Sequence, residues 1–156
     1  MVSRVIPVEV FDLVIFGGTG DLARRKILPG LYRRFLAGQM PEGARIIGAA
    51  RADFDDAGYR QFVNDAICEF VKSSRHDKAH IDEFLSRIKY LPVDALGDAG
   101  WQGLASLMRP NVIRAFYFSV APRLFGPTMN MSPLSCLTQK RASRLWFYLT
   151  ARKPTG

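Results

Sequence analysis

The chain has 156 residues, 48% of them apolar and 23% charged, enough for a real core in one soluble globular domain. No apolar run reaches the roughly 18–20 residues of a membrane span, and residues 1–10 lack the apolar stretch and cleavage site of a secretory signal. The formal charge of +8 is unevenly spread: residues 1–126 hold 17 Lys and Arg against 14 Asp and Glu, whereas 127–156 hold five basic residues and no acid.

The first element in chain order is an apolar run at residues 12–16. Continuous apolar runs mark central strands of a parallel sheet, buried on both faces. It runs into Gly17-Gly18-Thr19-Gly20-Asp21 and then a helical stretch. Leu22, Ile27, Leu28, Leu31, Tyr32 and Phe35 share an apolar side there, with Arg24, Arg25, Arg33 and Arg34 largely outside it. Pro29 removes one helix bond, so a kink or interruption is expected, and Gly38 marks the end. Residues 45–49 read as the second strand. A helix follows over about 55–72, with Asp55 or Asp56 as its N-cap and Tyr59, Phe62, Val63, Ala66, Ile67 and Phe70 as its stripe. A polar loop at 73–78, a short helix at 81–88 and a short strand at 90–93 come next. Pro92 argues against a central place for that strand. A helix over 98–108 and a strand over 112–120 complete the pattern. Alternating strands and helices predict an α/β, Rossmann-like fold: a mostly parallel sheet with helices on both faces.

The loop Gly17-Gly18-Thr19-Gly20-Asp21-Leu22-Ala23 carries the chemistry. A diphosphate needs close backbone approach, several N–H donors and a positive field. Glycines allow a tight strand-to-helix turn with no Cβ in the way, and a helix start supplies donors and field. Thr19 adds a hydroxyl. The spacing is Gly-x-x-Gly-x-x-Ala rather than Gly-x-Gly-x-x-Gly, and glycine-rich turns also occur simply where a strand reverses into a helix. The order strand, loop, helix near the N-terminus favours the phosphate reading.

The end of the second strand sets the cofactor preference. NAD binders place Asp or Glu there, roughly 20 residues on, to bond the ribose 2′-hydroxyl. Here the strand ends in Arg51, whose guanidinium suits a 2′-phosphate bidentately, and this predicts NADP. Two alternatives stay open: Arg51 as a solvated strand-end cation, and Asp53 as an NAD-type carboxylate.

Residues 11–29, Phe-Asp-Leu-Val-Ile-Phe-Gly-Gly-Thr-Gly-Asp-Leu-Ala-Arg-Arg-Lys-Ile-Leu-Pro, resemble the N-terminus of the bacterial glucose-6-phosphate dehydrogenase family. So do Ile46-Ile47-Gly48-Ala49-Ala50-Arg51 and Phe116-Tyr117-Phe118-Ser119-Val120-Ala121-Pro122. The resemblance covers about residues 11–126 and implies an NADP-dependent oxidoreductase that takes hydride from C1 of glucose 6-phosphate. It assigns Gly17, Gly18, Thr19, Gly20, Asp21, Leu22 and Ala23 to the pyrophosphate, Arg51 to the 2′-phosphate and Asp94 to the adenosine side. Lys26, Pro122 and Lys153 match positions of the substrate and nicotinamide pocket. On residue chemistry alone, Lys26 is a solvated helix lysine and Asp94 a loop cap. The family's partners are a small-molecule cofactor and a sugar phosphate; its members are usually homo-oligomers, cytoplasmic, with no nucleic-acid or membrane partner.

Residues 1–10 therefore read as an N-terminal extension, 11–126 as the NADP-binding domain and 127–156 as an atypical basic tail. The family has an amphipathic helix after residue 126, whereas here two prolines and several Ser, Thr and Asn make a helix unfavourable. Arg152 stands where the family has Glu in a Glu-Lys-Pro-x-Gly strand end. A reading-frame change near Gly126 is one account, which would leave the sheet incomplete at its C-terminal edge. A divergent loop followed by a strand at 145–149 is the other. The family's histidine base and its aspartate lie beyond the length of this chain, so no catalytic residue is assigned and the chain alone is expected to be inactive. A non-catalytic nucleotide-binding fragment or a degraded gene product is the alternative. His76 and His80, the only histidines, read as solvated. Cys68 and Cys136 show neither disulfide nor zinc spacing, which fits a reducing cytoplasm.

Overall fold

The computed structural model describes residues 9–95 and 97–119, and the backbone of a strand at 145–149. Five parallel strands form one sheet: β1 (Phe11–Phe16), β2 (Arg45–Ala50), β3 (Ile88–Pro92), β4 (Ile113–Phe118) and β5 (Leu145–Leu149). Their order is β3-β2-β1-β4-β5. Parallel neighbours need crossovers, and the intervening helices supply them: α1 (Leu28–Leu36), α2 (Asp56–Phe70), α3 (Lys78–Ser86) and α4 (Trp101–Leu107). The fold is Rossmann-like, as the alternation predicts. Among the described residues the sheet ends at β5, one strand short of the full doubly wound order.

β1 is the axis. Its residues alternate between two apolar layers, as strand geometry requires. Ile15 faces Tyr32, Ile46, Tyr59, Val63, Ile67 and Phe84 under α1, α2 and α3. Val14 and Phe16 face Ile47, Phe116, Phe118, Trp101 and Leu104 under α4. Phe16 stacks on Phe118 and Phe116, with ring centroids 5.0 and 6.4 Å apart, and lies 5.4 Å from the Trp101 ring. Each such fully buried aromatic contributes roughly 1.5–3 kcal/mol by leaving water.

The bottom of the α4 layer is closed by charge. Asp12 is fully buried at the start of β1. Arg45 donates to both of its carboxylate oxygens, at 2.9 and 2.8 Å, and Arg109 donates from Nε and Nη2 at 3.1 and 2.6 Å. Burial by itself would raise the Asp12 pKa. The hydrogen bonds and charges of the two guanidiniums outweigh that and hold the carboxyl below its ordinary 3.8.

Several boundaries differ from the sequence reading, each for a local reason. Pro29 does interrupt the first helix: Ala23–Ile27 is a π-helical turn, closed by the Leu28 amide on the Ala23 carbonyl, and α1 begins at Leu28. Gly38, at φ +69°, ends α1, with its amide on Phe35 O and the Gln39 amide on Arg34 O. Asp55 is the N-cap of α2, accepting from the Gly58 amide at 2.7 Å; Asp56 instead accepts from the Tyr90 amide at 2.8 Å. The third helix covers Lys78–Ser86 rather than 81–88, because Asp77 caps it and Ile88 leaves to pair with Ile46. α4 starts at Trp101 rather than 98, because Gly100 sits at φ +87°, outside the helical region. Pro92 is the last residue of β3, an edge strand, as its missing N–H demands.

Candidate cofactor site

All five strands run the same way, so the ends of β1, β2 and β3 share one edge of the sheet. The strand order reverses between β1 and β4, the point at which such sheets open the crevice where they bind ligands.

The loop after β1 is held by its own backbone and by one tyrosine. Gly17 adopts φ +76°, a conformation a side chain would resist. The Gly17 and Gly18 amides both donate to Ala49 O, at 2.9 and 3.3 Å, and the Gly20 amide donates to Gly17 O at 2.9 Å. The Tyr59 hydroxyl donates to Gly18 O at 2.8 Å from a fully buried position. A Cβ on Gly18 would lie 2.9 Å from that hydroxyl and 3.1 Å from both Gly48 Cα and Ile15 O, so only glycine fits.

This bonding refines the roles expected of the loop. The glycine amides fasten the loop to β2 and to itself. The amides of Thr19, Leu22 and Ala23 take no backbone acceptor among the described residues, and the first helical bond is from the Arg24 amide to Gly20 O at 3.0 Å. Three amide donors thus remain at the helix start, beside glycines that carry no Cβ. The Asp21 carboxylate is turned to Arg25 Nε at 2.6 Å.

The structure brings Arg51 to the same edge, on the turn directly after β2. It is exposed and makes no ion pair among the described residues, nor does it pair with the nearby, also exposed Asp53. Lys26 lies exposed on the π-helical turn. Asp94 follows β3, and its backbone closes a turn: its amide donates to Ala99 O at 3.0 Å and its carbonyl accepts from Trp101 Nε1 at 2.9 Å. Pro122 and Lys153 lie outside the described residues.

The histidines are elsewhere. His76 Nε2 is 2.8 Å from Val71 O, and His80 is on α3, beside Asp77 and an open groove of about 290 Å³ at the far end of α1. Among the described residues no three His, Cys, Asp or Glu cluster as metal ligands.

Sequence reasoning missed Tyr59 and Tyr90, reading the first as part of an apolar stripe and the second as part of a strand. The Tyr90 hydroxyl lies 3.1 Å from Ala50 O and 2.6 Å from Ala52 O, on either side of Arg51. Gly48 was the available signal. Glycine inside a strand marks close approach, and a Cβ there would lie 2.3 Å from the Tyr59 ring.

A family model described as glucose-6-phosphate dehydrogenase, NAD binding domain, matches residues 14–156. The chain belongs to the glucose-6-phosphate dehydrogenase family. It is 48% identical over 128 residues to the glucose-6-phosphate 1-dehydrogenase of Rhizobium meliloti, a match covering 81% of this chain and 26% of the relative. With that of Bacillus subtilis it shares 35% over 152 residues, 92% of this chain and 29% of the relative. A crystal structure of the Mycobacterium avium glucose-6-phosphate 1-dehydrogenase superposes with a TM-score of 0.75 at 28% identity, covering 89% of this chain and 29% of that one. The chain thus spans between a quarter and a third of the length of these glucose-6-phosphate dehydrogenases, as their N-terminal dinucleotide-binding domain. Among the described residues, no helix is long and apolar enough to cross a membrane.

Proposed function

We propose that this chain is the cofactor domain of a glucose-6-phosphate 1-dehydrogenase: it holds NADP while hydride leaves C1 of glucose 6-phosphate, the entry step of the pentose phosphate pathway. One observation carries the reading. Among the described residues, three amides without a backbone acceptor at a helix start and a guanidinium without an ion pair stand at neighbouring strand ends on the same sheet edge.

The amides of Thr19, Leu22 and Ala23, with the Thr19 hydroxyl, bind the diphosphate. Gly17, Gly18 and Gly20 shape the loop that aims them, and Asp21 holds Arg25 beside it. Arg51 binds the 2′-phosphate, and the Asp94 turn borders the adenosine. Lys26, Pro122 and Lys153 are assigned to the nicotinamide and sugar pocket by the family positions they match. When bound, the nicotinamide supplies the hydride acceptor. The residues of this chain bind and orient it, and the proton-abstracting histidine belongs to the part of such enzymes that lies beyond this length. The 156-residue polypeptide by itself therefore holds cofactor without turnover. Working inside the cytoplasm as a homo-oligomer belongs to the same reading.

For residues 127–156, two observations support a divergent loop and strand over a change of frame. The family match runs to residue 156, and the backbone of β5 continues the sheet beside β4.

The test is thermal unfolding of the purified chain with and without NADP, together with an assay on glucose 6-phosphate. We expect an upward shift with NADP and no NADPH formed. No shift would overturn the cofactor role, and turnover would overturn the division of labour.

A further inference from the structure

Tyr59 and Tyr90 pack together in the core beneath the cofactor edge, with ring centroids 4.7 Å apart. Both are nearly or fully buried, at 0% and 5% exposure. Each sends its hydroxyl to the backbone of a different cofactor loop. Tyr59 donates to Gly18 O in the loop after β1. Tyr90 shares its proton between Ala50 O and Ala52 O, the two carbonyls that flank Arg51. The pair is locked from below. The Tyr59 ring covers Gly48, where a Cβ would meet it at 2.3 Å, and Phe54 packs edge-on against Tyr90 at 5.7 Å.

We infer that this tyrosine pair is a brace of positioning residues, in which Tyr59 sets the diphosphate loop and Tyr90 sets the aim of Arg51 at the 2′-phosphate. The inference rests on the cofactor reading above and assigns the two residues separable effects. The diphosphate is common to NAD and NADP, so a fault in the Tyr59 contact weakens both alike. The 2′-phosphate is present only in NADP, so a fault in the Tyr90 contact erodes the preference between them. Burial, with the charge of Tyr90, pushes the Tyr59 hydroxyl up. Burial, with the charge of Asp53, pushes Tyr90 up to about 12. Both therefore stay protonated donors throughout the neutral range.

The ring contacts survive in Tyr59→Phe and Tyr90→Phe, and only the hydroxyls are lost. Removing the Tyr59 hydroxyl takes the side-chain donor from Gly18 O, and removing that of Tyr90 takes one donor from Ala50 O and one from Ala52 O, which keep the Val93 and Phe54 amides; each loss is expected to weaken binding by about tenfold. The measurement is the dissociation constant of the full 156-residue chain for NADP and for NAD, in wild type and both variants, with thermal unfolding as the check on folding. Tyr59→Phe is expected to raise both constants about tenfold and leave their ratio unchanged, whereas Tyr90→Phe raises that for NADP about tenfold and that for NAD little. A merely structural role would not split the ratio in this way. Should either variant fail to fold, Phe62→Leu, which removes the ring stacked on Tyr59 at 5.7 Å, loosens the first contact and Phe54→Leu loosens the second. If folded variants keep wild-type constants, or shift both ligands equally at both sites, the brace is wrong while the cofactor reading stands. If wild type itself binds neither dinucleotide, the cofactor reading fails and the brace fails with it.

Discussion

Arg51 is where a single side chain decides the most. A bidentate guanidinium–phosphate contact contributes roughly 1.5–3 kcal/mol. Arg51→Ala is therefore expected to weaken NADP about tenfold to a hundredfold and NAD hardly at all, read by titration of both ligands. Equal losses for the two would remove Arg51 from the 2′-phosphate. Asp12 matters to stability instead. It is buried beneath two guanidiniums, and Asp12→Ala leaves both without their anion, at an expected loss of about 3–5 kcal/mol in denaturant unfolding. Because its folded pKa lies below the unfolded value, its contribution is whole above about pH 4 and is lost as pH falls through the folded pKa. Acid unfolding of wild type should accordingly show a stability component, absent from Asp12→Ala, that disappears only below that range.

At the scale of elements, the strands were the most legible. Apolar runs at residues 12–16, 45–49 and 112–120 hold β1, β2 and β4 because buried parallel strands leave little room for polar residues. Helix ends were less so. The α3 start depends on Asp77, a side chain in a polar stretch, and the α4 start depends on the φ of Gly100, which no periodicity reveals. Pro29 announced an interruption, but not its form, a π-helical turn closed by the Leu28 amide on Ala23 O. The loop itself was legible as a glycine-rich turn. Which amides it spends on Ala49 and which it keeps was not, because that depends on β2 lying alongside. Gly48→Ala tests the packing beneath the loop. Its Cβ would lie 2.3 Å from the rigid Tyr59 ring, and overpacking of this kind costs typically 1–3 kcal/mol, to be read from the unfolding midpoint. A neutral result would mean the ring is free to move, and with it the loop.

For the whole molecule, sheet order does the work. The order β3-β2-β1-β4-β5 gathers residues as far apart in sequence as Thr19, Arg51 and Asp94 along one edge, while Asp12, Arg45 and Arg109 close the opposite one. One end serves the ligand and the other serves stability. A ligand that binds only the folded state stabilises it by about 2.7 kcal/mol at a hundred times its dissociation constant, so NADP at that excess should move the midpoint clearly. Titration calorimetry of the folded 156-residue chain with NADP and with NAD reaches the central claim most directly. A saturable one-to-one isotherm, tighter for NADP than for NAD, is the predicted result. A folded sample that takes up neither dinucleotide would contradict it.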